Sequence, residues 1–387
     1  MFSSRASFDL RRNRLAALVD ARRAAGAPII DLTQSNPTRA GIAYPDDLLR
    51  ALSDASALRY EPEPFGLREA REAVAADYRR RGVGLAADHV LLTASTSEAY
   101  AFLFKLLCDP GDDVLVPRPS YPLFDYLARL DSVAVRRYPL RYDGEWHVDL
   151  PALAQAFTPR TRAIVVVNPN NPTGSFLKQD EAAAIQEIAA GHGSAVVSDE
   201  VFADYALRPD ARRASCLAGG AEALTFCLGG LSKSCGLPQL KLGWMAVSGP
   251  DALRDEALAR LEVVADTYLS VGTPVQRALA GILARGSELR ARIVARVASN
   301  LELLRRRCAP PCPVTLLEPE GGWYATLRVP ATLPEEERVA RLLEDDGILV
   351  HPGYFFDFAH EAYLVVSLLP EPQPFESAVD RMLARML

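Results

Sequence analysis

The sequence LTFCLGGLSKSCGLPQLKLGWMAVS, residues 224–248, has an apolar stretch at each end and a Gly- and Ser-rich segment between them. The end stretches, 224–229 and 243–248, have the length and the β-branched and aromatic content of buried strands. The segment between them contains Lys233 and Lys241, in a chain where only four of 43 basic residues are lysine. We therefore expect these two lysines to have roles that arginine does not fill.

Similar short apolar runs precede this stretch, and they alternate with helical patterns such as 96–108 and 179–190. The runs lie at 89–93, 113–117, 163–167 and 195–198. Buried strands that alternate with helices are typical of a mostly parallel α/β sheet. The predicted fold class is α/β, with a large domain in which helices flank a mostly parallel seven-stranded sheet.

The character of the chain changes after residue 250. Residues 251–308 have helical periodicity, and strand-like stretches at 321–329, 348–353 and 362–369 follow, with a helix near 334–346. We expect residues 43–269 to form the large domain. Residues 1–42 and 270–387 are expected to form a smaller α+β domain.

Charge and composition exclude several classes of protein. The net charge is −6 and there is no basic tract, which argues against binding nucleic acid. No apolar run approaches the ~18 residues that a membrane span needs, and the N-terminal stretch lacks the pattern of a signal peptide. The six cysteines are scattered, so a reducing cytoplasm is expected. Cys308 and Cys312 leave a chance zinc or disulfide role open, but no metal site is predicted.

Polar residues follow two of the predicted strands. Ser95, Thr96 and Ser97 come after strand 89–93 and fit a helix start, either as a phosphate site or as a plain capping box. NPNNPTG, residues 168–174, follows strand 163–167 and predicts a rigid turn in which Asn171-Pro172 is a candidate cis bond. In open α/β sheets, ligands bind outside the carboxyl ends of the strands, so these residues are candidates for one site.

Charged residues follow two further strands. Asp199 and Glu200 come after strand 195–198, where a carboxylate needs a cation or a donor, although a helix cap is the alternative. Lys233 follows strand 224–229 in apolar surroundings that favour its neutral amine, a nucleophile toward carbonyls. The alternative is an ordinary surface lysine, but the flanking segments CLGGL and CGLP do not look like surface sequence.

Taken together, these motifs resemble the class I and II aminotransferases of the aspartate aminotransferase fold, fold type I, which use pyridoxal 5′-phosphate. NPNNPTG, SDEVF, the lysine of GLSKSCGLPQLKLGW, SVGTPVQ and HPGYFF occur in the family's order and approximate spacing. The resemblance covers the whole chain. Together the motifs are specific, whereas any one alone would be weak.

The resemblance implies roles for individual residues. Lys233 corresponds to the lysine that forms the Schiff base with the cofactor and moves the substrate proton, for which an amine that can be neutral is required. Asp199 corresponds to the aspartate that pairs with the pyridine nitrogen. Asn171 corresponds to the donor to the phenolic oxygen, and Tyr121 to the ring stacked on the pyridine. The phosphate would contact Ser95, Thr96, Ser97, Ser232 and, from the neighbouring subunit of a homodimer, Tyr60.

Three positions depart from the family's pattern. Lys241 stands where an arginine usually grips the phosphate bidentately, and it would act as a point charge. Phe202 stands where a tyrosine is expected, which removes a hydrogen bond to the phenolic oxygen and should change the pKa of the Schiff base. Val365 aligns with the arginine that clamps the substrate carboxylate. Either Arg39 or Arg328 replaces that arginine, or the substrate presents no carboxylate there.

The expected activity is transfer of an amino group from an amino acid to a 2-oxo acid through the Lys233 Schiff base. An elimination, lyase or oxidative deamination reaction on the same cofactor is the alternative, because the departures at Phe202 and Val365 favour divergence. A non-catalytic cofactor-binding protein is a third hypothesis, which the retained Lys233, Asp199 and Asn171 disfavour. The aromatic residues Tyr354, Phe355, Phe356 and Tyr363 are expected in the core of the smaller domain rather than in a pocket.

Overall fold

The computed structural model describes residues 1–220 and 222–386. The helices are α1 (Arg14–Ala24), α2 (Arg68–Arg80), α3 (Thr96–Leu107), α4 (Leu123–Leu130), α5 (Leu150–Gln155), α6 (Gln179–Gly191), α7 (Leu231–Ser234), α8 (Asp251–Tyr268), α9 (Thr273–Arg307), α10 (Glu335–Asp346) and α11 (Pro372–Ala384). The strands are β1 (Ile30–Asp31), β2 (Val90–Thr93), β3 (Asp113–Arg118), β4 (Ala134–Tyr142), β5 (Trp146–Val148), β6 (Thr161–Val167), β7 (Ala195–Asp199), β8 (Thr225–Gly230), β9 (Gly243–Ser248), β10 (Thr315–Leu317), β11 (Tyr324–Arg328), β12 (Ile348–Leu349), β13 (His351–Pro352) and β14 (Tyr363–Ser367). In the part of the chain so described, no helix is both long and apolar enough to cross a membrane.

The largest sheet has eight strands in the order β2-β9-β8-β7-β6-β3-β4-β5. Strands β4, β3, β6, β7 and β8 pair in parallel, whereas β9 is antiparallel to its two neighbours and β5 is antiparallel to β4. The predicted α/β class and mostly parallel sheet are confirmed, with one strand more than the seven expected. The pair β4-β5 lies at the sheet edge, and β4 contains three arginines, so its sequence lacks the apolar pattern of a buried strand.

Both faces of this sheet are covered. Val90 and Leu92 of β2 belong to one hydrophobic core, and Leu91 between them belongs to the core on the opposite face. Successive side chains of a strand point to opposite faces, so a strand buried on both sides needs a continuous apolar run. The apolar runs of β3, β6, β7 and β8 meet this requirement, which is why they were recognisable in the sequence.

A separate hydrophobic core, distinct from the two on the faces of the large sheet, lies around two smaller sheets. One is a four-stranded antiparallel sheet in the order β10-β11-β14-β13, and the other is the parallel pair β1-β12. Helix α9 joins this core to the large sheet, because Leu301 lies in this core and Leu279 lies in the core that contains Val90 and Leu92. The boundaries at residues 42 and 269 stay a prediction.

Candidate active site

The carboxyl ends of β7 and β8 bring Asp199 and Lys233 to the same edge of the large sheet. Asp199 is the last residue of β7, and Lys233 lies on the single-turn helix α7 that follows β8 directly. The turn into α7 is tightly packed, since a Cβ on Gly229 would lie 2.4 Å from the indole nitrogen of Trp244. The glycines at the end of β8 therefore permit the close approach that orients α7.

Aromatic rings surround the amine of Lys233. Its Nζ lies 5.4 Å from the ring centre of Phe202 and 5.1 Å from that of Trp323. The two rings are packed edge to face, with centroids 5.2 Å apart. Burial lowers the pKa of Lys233 to about 8, and the negative charge of Asp199 only partly opposes this shift. An amine with this pKa is neutral in a sizeable fraction of molecules near neutral pH, as a nucleophile must be.

The carboxylate of Asp199 is held by two donors. The hydroxyl of Tyr100 donates to Oδ2 over 3.2 Å, and the backbone N–H of Val201 donates to Oδ1 over 3.2 Å. Burial raises the pKa of Asp199 to about 6, while these hydrogen bonds and the positive charge of Lys233 act in the opposite direction. A buried carboxylate with a raised pKa is stabilised by any cationic N–H donor that binds beside it.

The three asparagines of NPNNPTG have different environments. Asn168 donates to the carbonyl of Ala214 and accepts from the N–H of Leu177, so it joins loops. Asn170 donates to the carbonyl of Pro119, which ties the turn to the end of β3. Asn171 is buried, and its Oδ1 has no hydrogen-bond partner among the described residues. A buried amide without a partner is costly in free energy, which marks Asn171 as the asparagine that a ligand would satisfy.

The peptide bond between Asn171 and Pro172 is cis, as predicted, and so are those before Pro119 and Pro169. Tyr121 follows Pro119 by two residues at the end of β3 and is 46% exposed. Burial and the charge of Asp199 together raise the pKa of Tyr121, so its phenol lies within electrostatic range of that carboxylate. Tyr121, Asp199 and Lys233 therefore come together at one end of the sheet.

Ser95 caps the start of α3, and Glu98 bonds back to Ala94, one residue before the N-cap position that a capping box uses. The hydroxyl of Ser95 accepts from the N–H of Glu98 over 3.2 Å, and the carboxylate of Glu98 accepts from the N–H of Ala94 over 2.7 Å. Ser270 also donates to this carboxylate, over 2.6 Å. The capping alternative is thus present. It leaves the N–H groups of the first turn, at Thr96 and Ser97, oriented out of the helix end, where they can bind an anion.

Lys241 lies two residues before Gly243, whose backbone runs against the start of α3. It has left-handed backbone geometry, with φ of 49°, and its side chain is exposed. Two residues later, a Cβ on Gly243 would lie 3.2 Å from the carbonyl carbon of Ser95, so the segment runs against the start of α3. Ser232 precedes Lys233 on α7 and is partly exposed. A phosphate at the α3 N-terminus would have both side chains in its neighbourhood.

Tyr60 and Val365, two further positions singled out in the sequence, do not join the Lys233 cluster of this chain. Tyr60 is 74% exposed and lines a surface groove with Gln276 and Leu269, apart from the Lys233 cluster of its own chain. Val365 is fully buried in an apolar cluster with Trp146, Phe356 and Phe358, and its paired neighbours in the sheet are Thr326 and His351. The Val365 position therefore offers no cation.

The arginines considered as replacements for that clamp, Arg39 and Arg328, are both exposed. Arg328 lines a cleft together with Arg118 and Arg137, two arginines that pair with Asp357. Of the four aromatic residues assigned to the core of the smaller domain, Phe356 is buried. Tyr354 and Phe355 instead line a cleft that also contains Tyr121, and Tyr363 lines the cleft of Arg328.

Sequence reasoning missed three aromatic residues of this site: Tyr100, Tyr205 and Trp323. Tyr100 carries a hydroxyl on the buried face of α3, and the only sequence signal was a tyrosine in an otherwise apolar helical pattern. Tyr205 packs against Trp323 with ring centroids 5.0 Å apart, and its hydroxyl bonds the carbonyl of Lys233. No local pattern predicts these contacts, because their partners are distant in the sequence.

This arrangement agrees with the comparisons to known proteins. The family model for aminotransferase class I and II matches residues 27–381, and the chain belongs to that family. The glutamate-pyruvate aminotransferase AlaA of Escherichia coli (strain K12) is 30% identical over 256 residues, which are 66% of this chain and 63% of that protein. The AlaA protein of Haemophilus influenzae is 27% identical over 374 residues, covering 94% of this chain and 91% of the relative.

Solved structures have the same fold. The alanine aminotransferase from Pyrococcus furiosus superposes with a TM-score of 0.90 at 25% identity, covering 100% of this chain and 99% of that chain. A mutant aspartate aminotransferase of Thermus thermophilus superposes with a TM-score of 0.86 at 23% identity, with full coverage of both chains. The second similarity concerns the fold alone.

Proposed function

We propose that this chain is a pyridoxal-phosphate-dependent aminotransferase that moves an amino group from an amino acid to a 2-oxo acid, with Lys233 as the amine that holds the cofactor. The observation that carries the proposal is the pairing of Lys233 and Asp199 at one sheet edge. Burial lowers the pKa of the amine to about 8 and raises that of the carboxylate to about 6. Oppositely shifted groups at the end of a parallel sheet are typical of an acid–base site.

The residues present fit this cofactor. The buried carboxylate of Asp199 suits a protonated ring nitrogen, and the first turn of α3 suits a phosphate. The unpartnered Oδ1 of Asn171 needs a donor, and it is the Nδ2 group of the same amide that would donate to a phenolic oxygen. When bound, pyridoxal phosphate supplies a carbonyl for amines and a conjugated ring that accepts the electrons of the breaking Cα–H bond. Tyr121 would cover one face of that ring.

The chain's own groups supply proton transfer and electrostatics. Neutral Lys233 Nζ would accept the proton from the substrate Cα and deliver it two atoms away, at the carbon that carries the cofactor's carbonyl, as general acid–base catalysis with a pKa of about 8 allows. Ionised Asp199 would remain in place during the reaction and stabilise the positive charge of the protonated ring nitrogen beside it. The rings of Phe202 and Trp323 pack around Nζ, and the burial that lowers its pKa to about 8 leaves about a tenth of the amine neutral at pH 7.

Glutamate, alanine and their 2-oxo acids are the substrates to test first, because two relatives are named glutamate-pyruvate aminotransferases. The test is a half-reaction, in which the purified holoprotein is mixed with single amino acids and the absorbance of the cofactor is followed. We expect conversion to the amino form of the cofactor, and reversal on adding pyruvate or 2-oxoglutarate. Lys233→Ala should not convert. A wild-type protein that binds the cofactor but converts with no amine would contradict transamination.

A different reaction on the same cofactor is favoured by one observation, the apolar surroundings of Val365. Val365 is buried with Trp146 and Phe358 and supplies no guanidinium, so a substrate without a free carboxylate would lose no contact at this position. Trp146 and Phe358 also line the cleft of Arg328, where a carboxylate would instead meet a cation. Release of ammonia together with a keto product, without accumulation of the amino form of the cofactor, would identify elimination or oxidation instead of transfer.

The proposal includes a homodimer in which Tyr60 reaches the phosphate of the neighbouring subunit. Its support is the exposure of the segment, where Leu58 is 91% and Tyr60 74% exposed in the single chain. Sedimentation at micromolar concentration should give twice the chain mass of 42.1 kDa. A cytoplasmic location is also proposed, supported by six cysteines that are all free thiols.

A further inference from the structure

The segment that carries Lys233 is held by side chains from three distant parts of the chain. The hydroxyl of Tyr205 donates to the carbonyl of Lys233 over 2.6 Å, and Nη1 of Arg290 donates to that of Ser234 over 3.2 Å. The hydroxyl of Tyr44 donates to the carbonyl of Gly236 over 2.6 Å. The last carbonyls of a helix have no partner within the helix, and Arg290 satisfies that of Ser234. The carbonyl of Lys233 also accepts from the N–H of Gly236 over 3.1 Å, so Tyr205 adds a second donor to it.

Helix α7 needs such support because it is a single turn, Leu231–Ser234. A helix of one turn fixes several backbone dihedrals for very few internal hydrogen bonds, so it is unstable in isolation. The chain then turns at Gly236, which has φ of +62°, and a Cβ there would lie 2.8 Å from the hydroxyl of Tyr44. The close approach of Tyr44 is thus built into the turn.

The two tyrosine donors keep their protons near neutral pH. Burial raises the pKa of Tyr44 to about 12 and that of Tyr205 well above its usual value. Arg290 places a cation at the end of the helix, where positive charge is favourable. Tyr205 also connects the main chain to the surroundings of the amine, because its ring packs 5.0 Å from Trp323.

We propose that Tyr205, Arg290 and Tyr44 are positioning residues that fix the main chain of Lys233, with Tyr205 the most important because it holds both the Lys233 carbonyl and the Trp323 ring. They form a carbonyl clamp, by which we mean these three donors and the carbonyls of residues 233, 234 and 236. The clamp holds Nζ between Phe202 and Trp323. This inference rests on the proposed function of Lys233 and assigns no chemistry to the clamp itself.

The test compares Tyr205→Phe with Tyr138→Phe. Tyr138 is a matched control, because it is also buried and its hydroxyl donates to a backbone carbonyl, that of Val165, over 2.8 Å. Each variant loses one buried hydrogen bond, so a similar loss of melting temperature is expected for both. Only Tyr205→Phe should change the Lys233 segment.

Two measurements on cofactor-free protein distinguish the variants. Hydrogen exchange followed by mass spectrometry should be faster in residues 231–237 for Tyr205→Phe, by about 5-fold or more, which corresponds to a hydrogen bond of about 1 kcal/mol. The pH dependence of the rate at which added pyridoxal phosphate forms its absorbing adduct reports the pKa of the Lys233 amine. That pKa should rise from about 8 toward the usual lysine value of 10.5 when the segment loosens. Tyr138→Phe should leave both quantities at wild-type values.

If Tyr205→Phe folds poorly, Tyr44→Phe gives the second test, since Tyr44 is only part-buried and its bond lies at the edge of the clamp. Unchanged exchange and an unchanged pKa in both tyrosine variants would overturn the clamp. A wild-type protein that forms no adduct at all would instead overturn the proposed function, so the two failures can be told apart. Exchange in 231–237 does not depend on the cofactor and remains a test in that case.

Discussion

The hydroxyl of Tyr100 donates to Oδ2 of Asp199 over 3.2 Å, from the buried face of α3 to the end of β7. The bond links the helix whose first turn suits a phosphate to the carboxylate that suits a ring nitrogen. In the proposed function the phosphate and the ring nitrogen belong to one ligand, so the distance between their sites would depend on how α3 packs against the end of β7.

Tyr100→Phe should raise the pKa of Asp199, because the hydrogen bond from Tyr100 favours the ionised carboxylate. A bond of about 1 kcal/mol corresponds to roughly 0.7 pH unit. We expect the acid limb of the pH profile of kcat/KM to move up by that amount. Tyr78→Phe is the control, because Tyr78 is fully buried and its hydroxyl has no partner among the described residues. An acid limb that stays in place in Tyr100→Phe would contradict this role.

Asp199→Asn should stabilise the cofactor-free protein above the folded-state pKa while abolishing activity. Burial raises the pKa of Asp199 from 3.8 to about 6, so the folded protein binds more protons than the unfolded chain between these values. The resulting cost to wild-type stability is fully present above about pH 6 and disappears as pH falls toward 3.8. Asparagine removes the charge but keeps only one acceptor oxygen, so it can retain the bond from Tyr100 or that from Val201 but not both, which reduces the gain.

The measurement for Asp199→Asn is urea unfolding of cofactor-free protein on both sides of that interval. The gain should be about 1–3 kcal/mol at slightly alkaline pH and should shrink as the medium is acidified. Asp131→Asn is the control, since Asp131 pairs with Lys105 over 2.6 Å near the surface and its loss should change stability little. A variant less stable than wild type at alkaline pH would show that charge interactions of Asp199 outweigh its burial.

The parts of this site that the sequence predicts are those defined by local motifs. Lys233, Asp199 and Asn171 each follow an apolar strand, and the ends of neighbouring parallel strands must meet. Tyr100 and Tyr205 act through hydrogen bonds to residues distant in the chain, so their roles depend on packing that no local pattern specifies. Strand β4 was not predicted for a similar reason. Its three arginines hide the pattern of a strand, and only the sheet order shows that it lies near the edge, where charged side chains are tolerated.

Lys241→Ala should weaken binding of pyridoxal phosphate about 10-fold, because a charge-assisted contact to an exposed phosphate contributes about 1.4 kcal/mol. The residue has left-handed backbone geometry with φ of 49°, a conformation in which alanine is strained. Lys241→Asn is therefore the better-matched neutral variant, since asparagine tolerates this region. Lys241→Arg keeps the charge but not the compact ammonium group, so it should bind pyridoxal phosphate less tightly than wild type, as expected for a role that arginine does not fill.

Equilibrium dialysis against pyridoxal phosphate measures these affinities. Pyridoxal, which has no phosphate, is the control ligand. All four proteins should bind pyridoxal equally. If Lys241→Asn binds the phosphate form as tightly as wild type, Lys241 is not a phosphate contact, and the first turn of α3 would suffice alone.

Val365→Arg, which restores the residue usual in the family, should destabilise the protein instead of improving substrate binding. Val365 is fully buried among Trp146, Leu317 and Phe358, and an unpaired charge there costs more than the lost valine contacts. We expect a loss of about 3 kcal/mol or more for Val365→Arg, against about 1–2 kcal/mol for Val365→Ala as the size control. Urea unfolding measures both. A stable Val365→Arg variant with lower KM for carboxylate substrates would contradict this expectation. It would show that an arginine at this position can leave the apolar cluster and bind the substrate carboxylate.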